Sequence, residues 1–141
     1  MEIVIYGEPI PQGRPRFTKQ GHAYDPQRSQ NYKQLVRFWV TQHLKKIPGF
    51  KPYENALCVD LIFHMGIPSS WSKKKRIQAI QGEIRPTSRR LGDADNLCKS
   101  VTDAILGLVY VDDSQIVNLG VSKYYSDTPR CVLKVIELEK K

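Results

Sequence analysis

Between Asp93 and Asp113 the chain reads DADNLCKSVTDAILGLVYVDD, which places five of its 14 acidic residues around a single lysine. The chain as a whole is basic, with 22 Lys and Arg residues and a formal net charge of +8. A basic protein gains no affinity for a polyanion by gathering carboxylates. Gathered carboxylates do supply the oxygen ligands of a hard divalent cation, and a cation beside a bound phosphate can activate water and neutralise the charge that develops there. The residue types therefore point to metal-dependent phosphodiester chemistry on nucleic acid.

Spacing adds to this. Asp93 and Asp95 straddle the start of an expected helix, and Asp112 and Asp113 follow a short segment that returns the chain. Convergence of the first pair with Asp112 or Asp113 would suit Mg²⁺, which takes oxygen ligands at about 2.0–2.1 Å and keeps several waters. Lys99 lies one turn beyond Asp95, about 6 Å along the helix axis. There it could meet the same phosphate or protonate the leaving oxygen. Each residue also has an ordinary structural use: Asp95 as N-cap, Asp93 as an acid at a positive helix end, Lys99 with Asp103 as an i,i+4 pair, and Asp112-Asp113 as a turn. On so basic a chain the joint pattern favours chemistry.

The elements that must position these residues can be read from periodicity. Glu2–Gly7 alternates as a short strand, and the stretch EPIPQGRPRFTKQGHAYDPQ, broken by Pro9, Pro11 and Pro15, reads as an extended loop. Ser29 is the expected N-cap of a helix over residues 31–46 with an apolar stripe of Leu35, Phe38 and Trp39. Ala56–Met65 alternates as a central strand, and Ser70 or Ser72 should cap a short helix bearing Lys73, Lys74, Lys75 and Arg76. A helix over residues 95–108 buries Leu97, Val101, Ala104, Ile105 and Leu108 and leaves Asp95, Lys99 and Asp103 on the opposite side. A short strand at 109–111, a long one at 115–125 and a last one at 131–139 follow. The order implies an α+β fold, a mixed sheet with helices packed on it, in a single domain over residues 1–141.

No apolar run approaches the roughly 20 residues that cross a bilayer, and the start MEIVIYGEPIPQ lacks the pattern of a secretory signal, so a cytoplasmic protein without membrane partner is expected. Cys58, Cys98 and Cys131 are widely spaced and read as free thiols, not as a zinc site or disulfide framework. Arg14 and Arg16 in the first loop, the 73–76 run, and Arg85, Arg89 and Arg90 are the expected phosphate contacts. Phe17 and Tyr24 are aromatics that could stack on bases or tuck back onto the core.

The stretch GDADNLCKSVTDAILGLVYVDDSQIV closely resembles the signature of RusA-type Holliday-junction resolvases, D-x-D-N-L-x-K, then D-A-[LI], then D-D-x-Q-[IV]. The opening GEPIPQGRPRF is similar to the N-terminal end of that family. The resemblance implies a homodimeric endonuclease that uses Mg²⁺, with Mn²⁺ as an alternative ion and no small-molecule cofactor, to nick two strands of a four-way DNA junction symmetrically. By position, Asp93, Asp95 and Asp113 match the family's metal-binding acids and Lys99 its essential lysine. Gly92 stands where some members carry a basic residue, and the segment between Asp103 and Asp112 is about one residue short, which keeps Asp112 open as the third acid. Rival readings are a metal-dependent nuclease for other branched DNA, a catalytically idle DNA-binding module, and an interaction domain with a structural Ca²⁺ or Mg²⁺ site.

Overall fold

The computed structural model describes residues 1–14, 16–24 and 26–138, and of Arg16 and Tyr24 the backbone alone. Alternating apolar residues build a four-stranded sheet from β1 (Glu2–Tyr6), β4 (Leu57–Gly66), β5 (Ile116–Ser126) and β6 (Arg130–Glu137), in the order β1-β6-β4-β5. β6 runs antiparallel to both β1 and β4, whereas β4 and β5 are parallel. The sheet is thus mixed, as expected. Its order follows from one short crossing: Asp127, Thr128 and Pro129 carry the chain over the end of β4 so that β6 enters on the far side. Gly66 sits under that crossing, and a Cβ there would meet the Glu8 carboxylate at 2.7 Å and Pro129 at 3.3 Å.

One face of the sheet is apolar. Leu57, Val59, Leu61, Phe63 and Met65 of β4 lie with Ile3, Ile5, Cys131, Leu133 and Val135 in a single buried cluster. Two helices cover it and pack on each other: α1 (Gln27–Leu44) and α3 (Ala94–Ile105). A third, α2 (Lys73–Ile80), packs against β5. Burying these side chains contributes roughly 1.5–3 kcal/mol each. The result is a single α+β domain in which the helix bearing the acids packs against α1 and the edge strand β5.

Several boundaries differ from expectation. The first helix begins four residues earlier, because Pro26 cannot lie inside a helix but can stand at its start. Ser29 is therefore not a cap; it is buried, and its Oγ accepts the Gly13 N–H at 2.8 Å. The buried stripe of α1 is Tyr32, Val36 and Val40, with Phe38 exposed and Leu35 and Trp39 at the edge of the core. α2 is capped by Ser72, which accepts from the Lys75 N–H. α3 stops three residues early, since Gly107 turns the chain at φ +85°. The expected strand at 109–111 does not form beyond isolated bridges at Tyr110. The last strand ends at Glu137, and Glu139 lies outside the described residues. Within the expected N-terminal loop, β2 (Arg16–Phe17) and β3 (Ala23–Tyr24) pair as a small hairpin, its turn closed by Thr18 N–H to the His22 carbonyl at 2.8 Å. All three cysteines are free. Among the described residues no helix is long and apolar enough to cross a membrane.

Candidate active site

α3 begins where two basic segments meet. The chain reaches it through a single turn at Arg89–Leu91 and then Gly92, which has φ +99°. A side chain at residue 92 would lie 2.5 Å from Cβ of Pro11, so only glycine lets the N-terminal loop press against the helix start. This is a physical reason for Gly92 in place of a basic residue. The loop is pinned there by Gln12 N–H to the Asn96 carbonyl at 2.9 Å, and Lys123 Nζ donates to the Gly92 carbonyl at 3.1 Å. Pro11, Gln12, Arg14, Arg89, Gly92, Asp93 and Asn96 line the resulting cleft of about 530 Å³. Arg14 and Arg89, far apart in sequence, thus flank Asp93 in space.

Asp93 is the N-cap residue of α3, yet its side chain makes no capping hydrogen bond. Asp95 follows in the first turn, and both carboxylates are exposed. Down the same flank, Lys99 Nζ lies 3.2 Å from Asp103 in a solvent-exposed i,i+4 pair. Such a pair contributes only about 0.3–0.5 kcal/mol, so Lys99 can leave it at little cost. Farther along, the hydroxyl of the buried Tyr110 lies 2.5 Å from the Thr102 carbonyl of α3 and 3.2 Å from Asp113 Oδ1. Burial first, then the neighbouring Asp113 and Asp103 charges, pushes the Tyr110 phenol well above its usual range, so it keeps the proton that it can donate. The Cys98 thiol between these acids is likewise raised, chiefly by burial and further by Asp103 and Asp95.

The acids form a band and not a point. Because α3 ends at Ile105 and the chain turns at Gly107, Asp113 returns beside Thr102, not beside the helix start. Asp95 and Asp103 are separated by about 12 Å of helix rise. Among the described residues no three Asp, Glu, His or Cys side chains gather as a metal-holding group. Asp112 and Asp113 also part company. Asp112 accepts the Ser114 N–H at 2.8 Å, while the Gln115 side chain accepts from the Asp112 N–H at 2.7 Å and donates to the carbonyls of Tyr53 and Asn55. The Ser114 bond holds the Asp112 carboxyl below the usual carboxylate range.

The remaining basic residues divide in the same way. Lys73 and Lys74 are exposed on α2, whereas Lys75 sits 4.0 Å over the Trp71 ring and Arg76 donates to the Pro68 carbonyl at 3.1 Å. Trp71 itself packs edge-on against Tyr125. Arg85 is spent on the Lys123 carbonyl and the Tyr124 ring. Arg90 is exposed beside the cleft turn, and the side chain of Arg16 lies outside the described residues. Reasoning from sequence missed Tyr110, Gln12 and Lys123. A tyrosine two residues before a pair of acids was the visible signal for the first; the other two act through fold contacts that carry no local signature.

The model of the family described as Endodeoxyribonuclease RusA matches residues 6–136, which spans the N-terminal loop, the cleft and the whole of α3. The chain belongs to the RusA family. It is also 38% identical to the uncharacterized protein YqaN of Bacillus subtilis (strain 168), over 98% of this chain and 96% of that one. Membership places this RusA-family chain among endodeoxyribonucleases associated with Holliday-junction resolution.

Proposed function

We propose that this protein is a Mg²⁺-dependent endonuclease, over residues 1–141, that resolves Holliday junctions by paired symmetric nicks, acting as a homodimer in the cytoplasm. The observation that carries the reading is the cleft at the start of α3, where Asp93, whose carboxylate makes no capping hydrogen bond, shares the lining with Arg14 and Arg89, and Asp95 follows in the first turn of the helix. Cations that share a cleft with an acid suit a phosphate that must be held while a metal acts on it. The donor set fits a hard divalent cation in chemistry: exposed carboxylate oxygens, with no hydrogen bond or ion pair to the carboxylate of Asp93 or Asp95 among the described residues. Mg²⁺ needs only one or two protein carboxylates, with water and substrate phosphate completing its shell, so a band of acids serves it as well as a closed cage. Asp93 and Asp95 at the helix start, and Asp113 farther down the band, would hold divalent metal, which when bound would supply a polarised phosphate and a more acidic water.

The rest of the work falls to the chain's own side chains. Arg14 and Arg89 fix the phosphates on either side of the scissile bond, and Arg90, Lys73 and Lys74 extend the basic surface. Lys99 moves from its weak pair with Asp103 to offset charge on the phosphate or to give a proton to the leaving oxygen. Tyr110 orients Asp113, whereas Asp112 is occupied with its turn; this favours Asp113 as the acting acid. A junction needs two cuts related by a two-fold axis, and a two-fold symmetric dimer supplies two such sites.

A synthetic four-way junction, a flap and a linear duplex should be incubated with the protein in Mg²⁺, Mn²⁺ or EDTA. Paired nicks in the junction alone, with either metal and none in EDTA, are expected. Metal-dependent cutting of the flap instead would transfer the activity to other branched DNA. Binding with no cutting under any metal would leave a DNA-binding module.

A further inference from the structure

Among the described residues Phe17 is the most exposed of the large apolar side chains, at 69%. It lies on the small hairpin of β2 and β3, and the described residues around it, Thr18 to Ala23, are all exposed. Two-stranded hairpins are marginal on their own in water. An outward phenylalanine makes this one costlier still unless something covers the ring. The root of the arm is firm, however. Gly13 N–H is held by Ser29, Gln12 N–H by Asn96, and Pro11 by Gly92, all beside Asp93. Phe17 is four positions on from Gly13, so its Cα lies within about 14 Å of the Gly13 Cα.

The charge of the arm identifies what covers it. From Arg14 to Tyr24 the sequence RPRFTKQGHAY holds three bases and no acid. A segment of that charge is drawn to phosphate, and an aromatic ring among phosphate-binding cations meets a nucleobase as its natural apolar surface. In continuous duplex the faces of the bases are hidden in the stack. At a branch point, stacking is interrupted and a base face can be uncovered at small cost.

We infer that Phe17 is a wedge that stacks on a nucleobase at the branch point, opening the crossover and setting the preference for branched DNA over duplex. The inference rests on the junction reading above and adds to it the element that senses the branch. The ring carries no charge, so its contribution must be independent of salt, unlike that of Arg14.

The test compares wild type, Phe17→Ala and Phe17→Trp on a four-way junction carrying 2-aminopurine next to the crossover, with Ca²⁺ replacing Mg²⁺ to block cutting. The fluorescence of this base rises when its neighbours unstack. Wild type and Phe17→Trp should raise it severalfold on the junction and leave a matched duplex unchanged. Phe17→Ala should lose most of that rise and about tenfold in junction affinity, with the slope of affinity against salt unaltered. An undiminished fluorescence rise in Phe17→Ala overturns the wedge. A flattened salt slope overturns it too, because the ring would then be propping the arm and its cations. Dissociation of a Phe17→Ala dimer in sedimentation would assign the ring to a subunit interface and equally reject it. If wild type itself shows no junction preference, the junction reading falls with the wedge; if that preference stands, the three preceding outcomes concern Phe17 alone.

Discussion

At the scale of single residues, the two adjacent acids Asp112 and Asp113 separate by what their carboxylates already do. Asp112 closes a turn by accepting from Ser114, and among the described residues Asp113 receives only the Tyr110 hydroxyl, whose single proton serves either it or the Thr102 carbonyl. Asp113→Asn and Asp95→Asn should therefore abolish cleavage while leaving junction binding intact or slightly tighter, since each removes a charge that repels phosphate. Asp112→Asn should cut at close to the wild-type rate. Gel assays with equal amounts of folded protein decide this, and a silent Asp113→Asn beside a dead Asp112→Asn would reverse the assignment. Tyr110→Phe removes one oxygen from a fully buried ring. Loss of its hydrogen bond should cost about 1 kcal/mol in stability. A misplaced Asp113 should lower the cleavage rate about tenfold to a hundredfold and raise the Mg²⁺ concentration for half-maximal rate. A lowered melting temperature with unchanged metal dependence would make the hydroxyl a helix-end contact only.

At the scale of elements, the cleft exists because the N-terminal loop is tied down at several points, one of which is itself titratable. Glu8 accepts the Gly66 N–H with both carboxylate oxygens, at 3.0 and 3.2 Å. Burial pushes its pKa above the ordinary 4.5, with the Gly66 bond and Arg28 opposing. A carboxyl whose folded pKa is raised favours folding in its protonated form. That contribution is complete below 4.5 and is lost as pH rises through the raised value. Glu8→Gln keeps an acceptor for Gly66 without the charge, so its melting temperature should exceed that of wild type at pH 7. The difference should close as the pH falls towards 4.5. Thermal scans across that range check the sign; a gap that widens on acidification would mean that the ionised form is the stabilising one. Elements of this kind were only partly legible in the sequence. The strand and helix order, the apolar face of α3 and the exposed flank with Asp95, Lys99 and Asp103 follow from local periodicity, which the core respects. The stripe of α1 was misplaced because its start depends on Pro26 and its buried face includes Lys33, which no hydrophobic pattern marks. The hairpin at 16–24, the crossing over Gly66 and the meeting of Arg14 with Arg89 arise from contacts between distant segments.

At the scale of the whole molecule, the division of charge separates binding from chemistry. A net charge of +8 coexists with an acidic band down α3, and the arginines that share the cleft with Asp93 come from two different segments, Arg14 and Arg89. Affinity should therefore depend on phosphates and on their arrangement in space, not on base sequence. Its logarithm should fall with the logarithm of salt concentration by roughly 0.9 for each phosphate neutralised. Replacing Arg14 and Arg89 together by Ala should weaken binding to all junction sequences about equally and flatten the slope by about two. A junction offers phosphates to both halves of a symmetric dimer at once, whereas a linear duplex of equal length engages one. Junction affinity should accordingly exceed duplex affinity by a wide margin when both are measured at one physiological salt concentration with Ca²⁺ in place of Mg²⁺. The double variant should lower both affinities and keep their ratio, because the arginines supply charge while the geometry of the branch supplies discrimination. Equal affinity of the wild type for the two DNAs would leave a basic nuclease without shape selection, and the resolvase reading would fail.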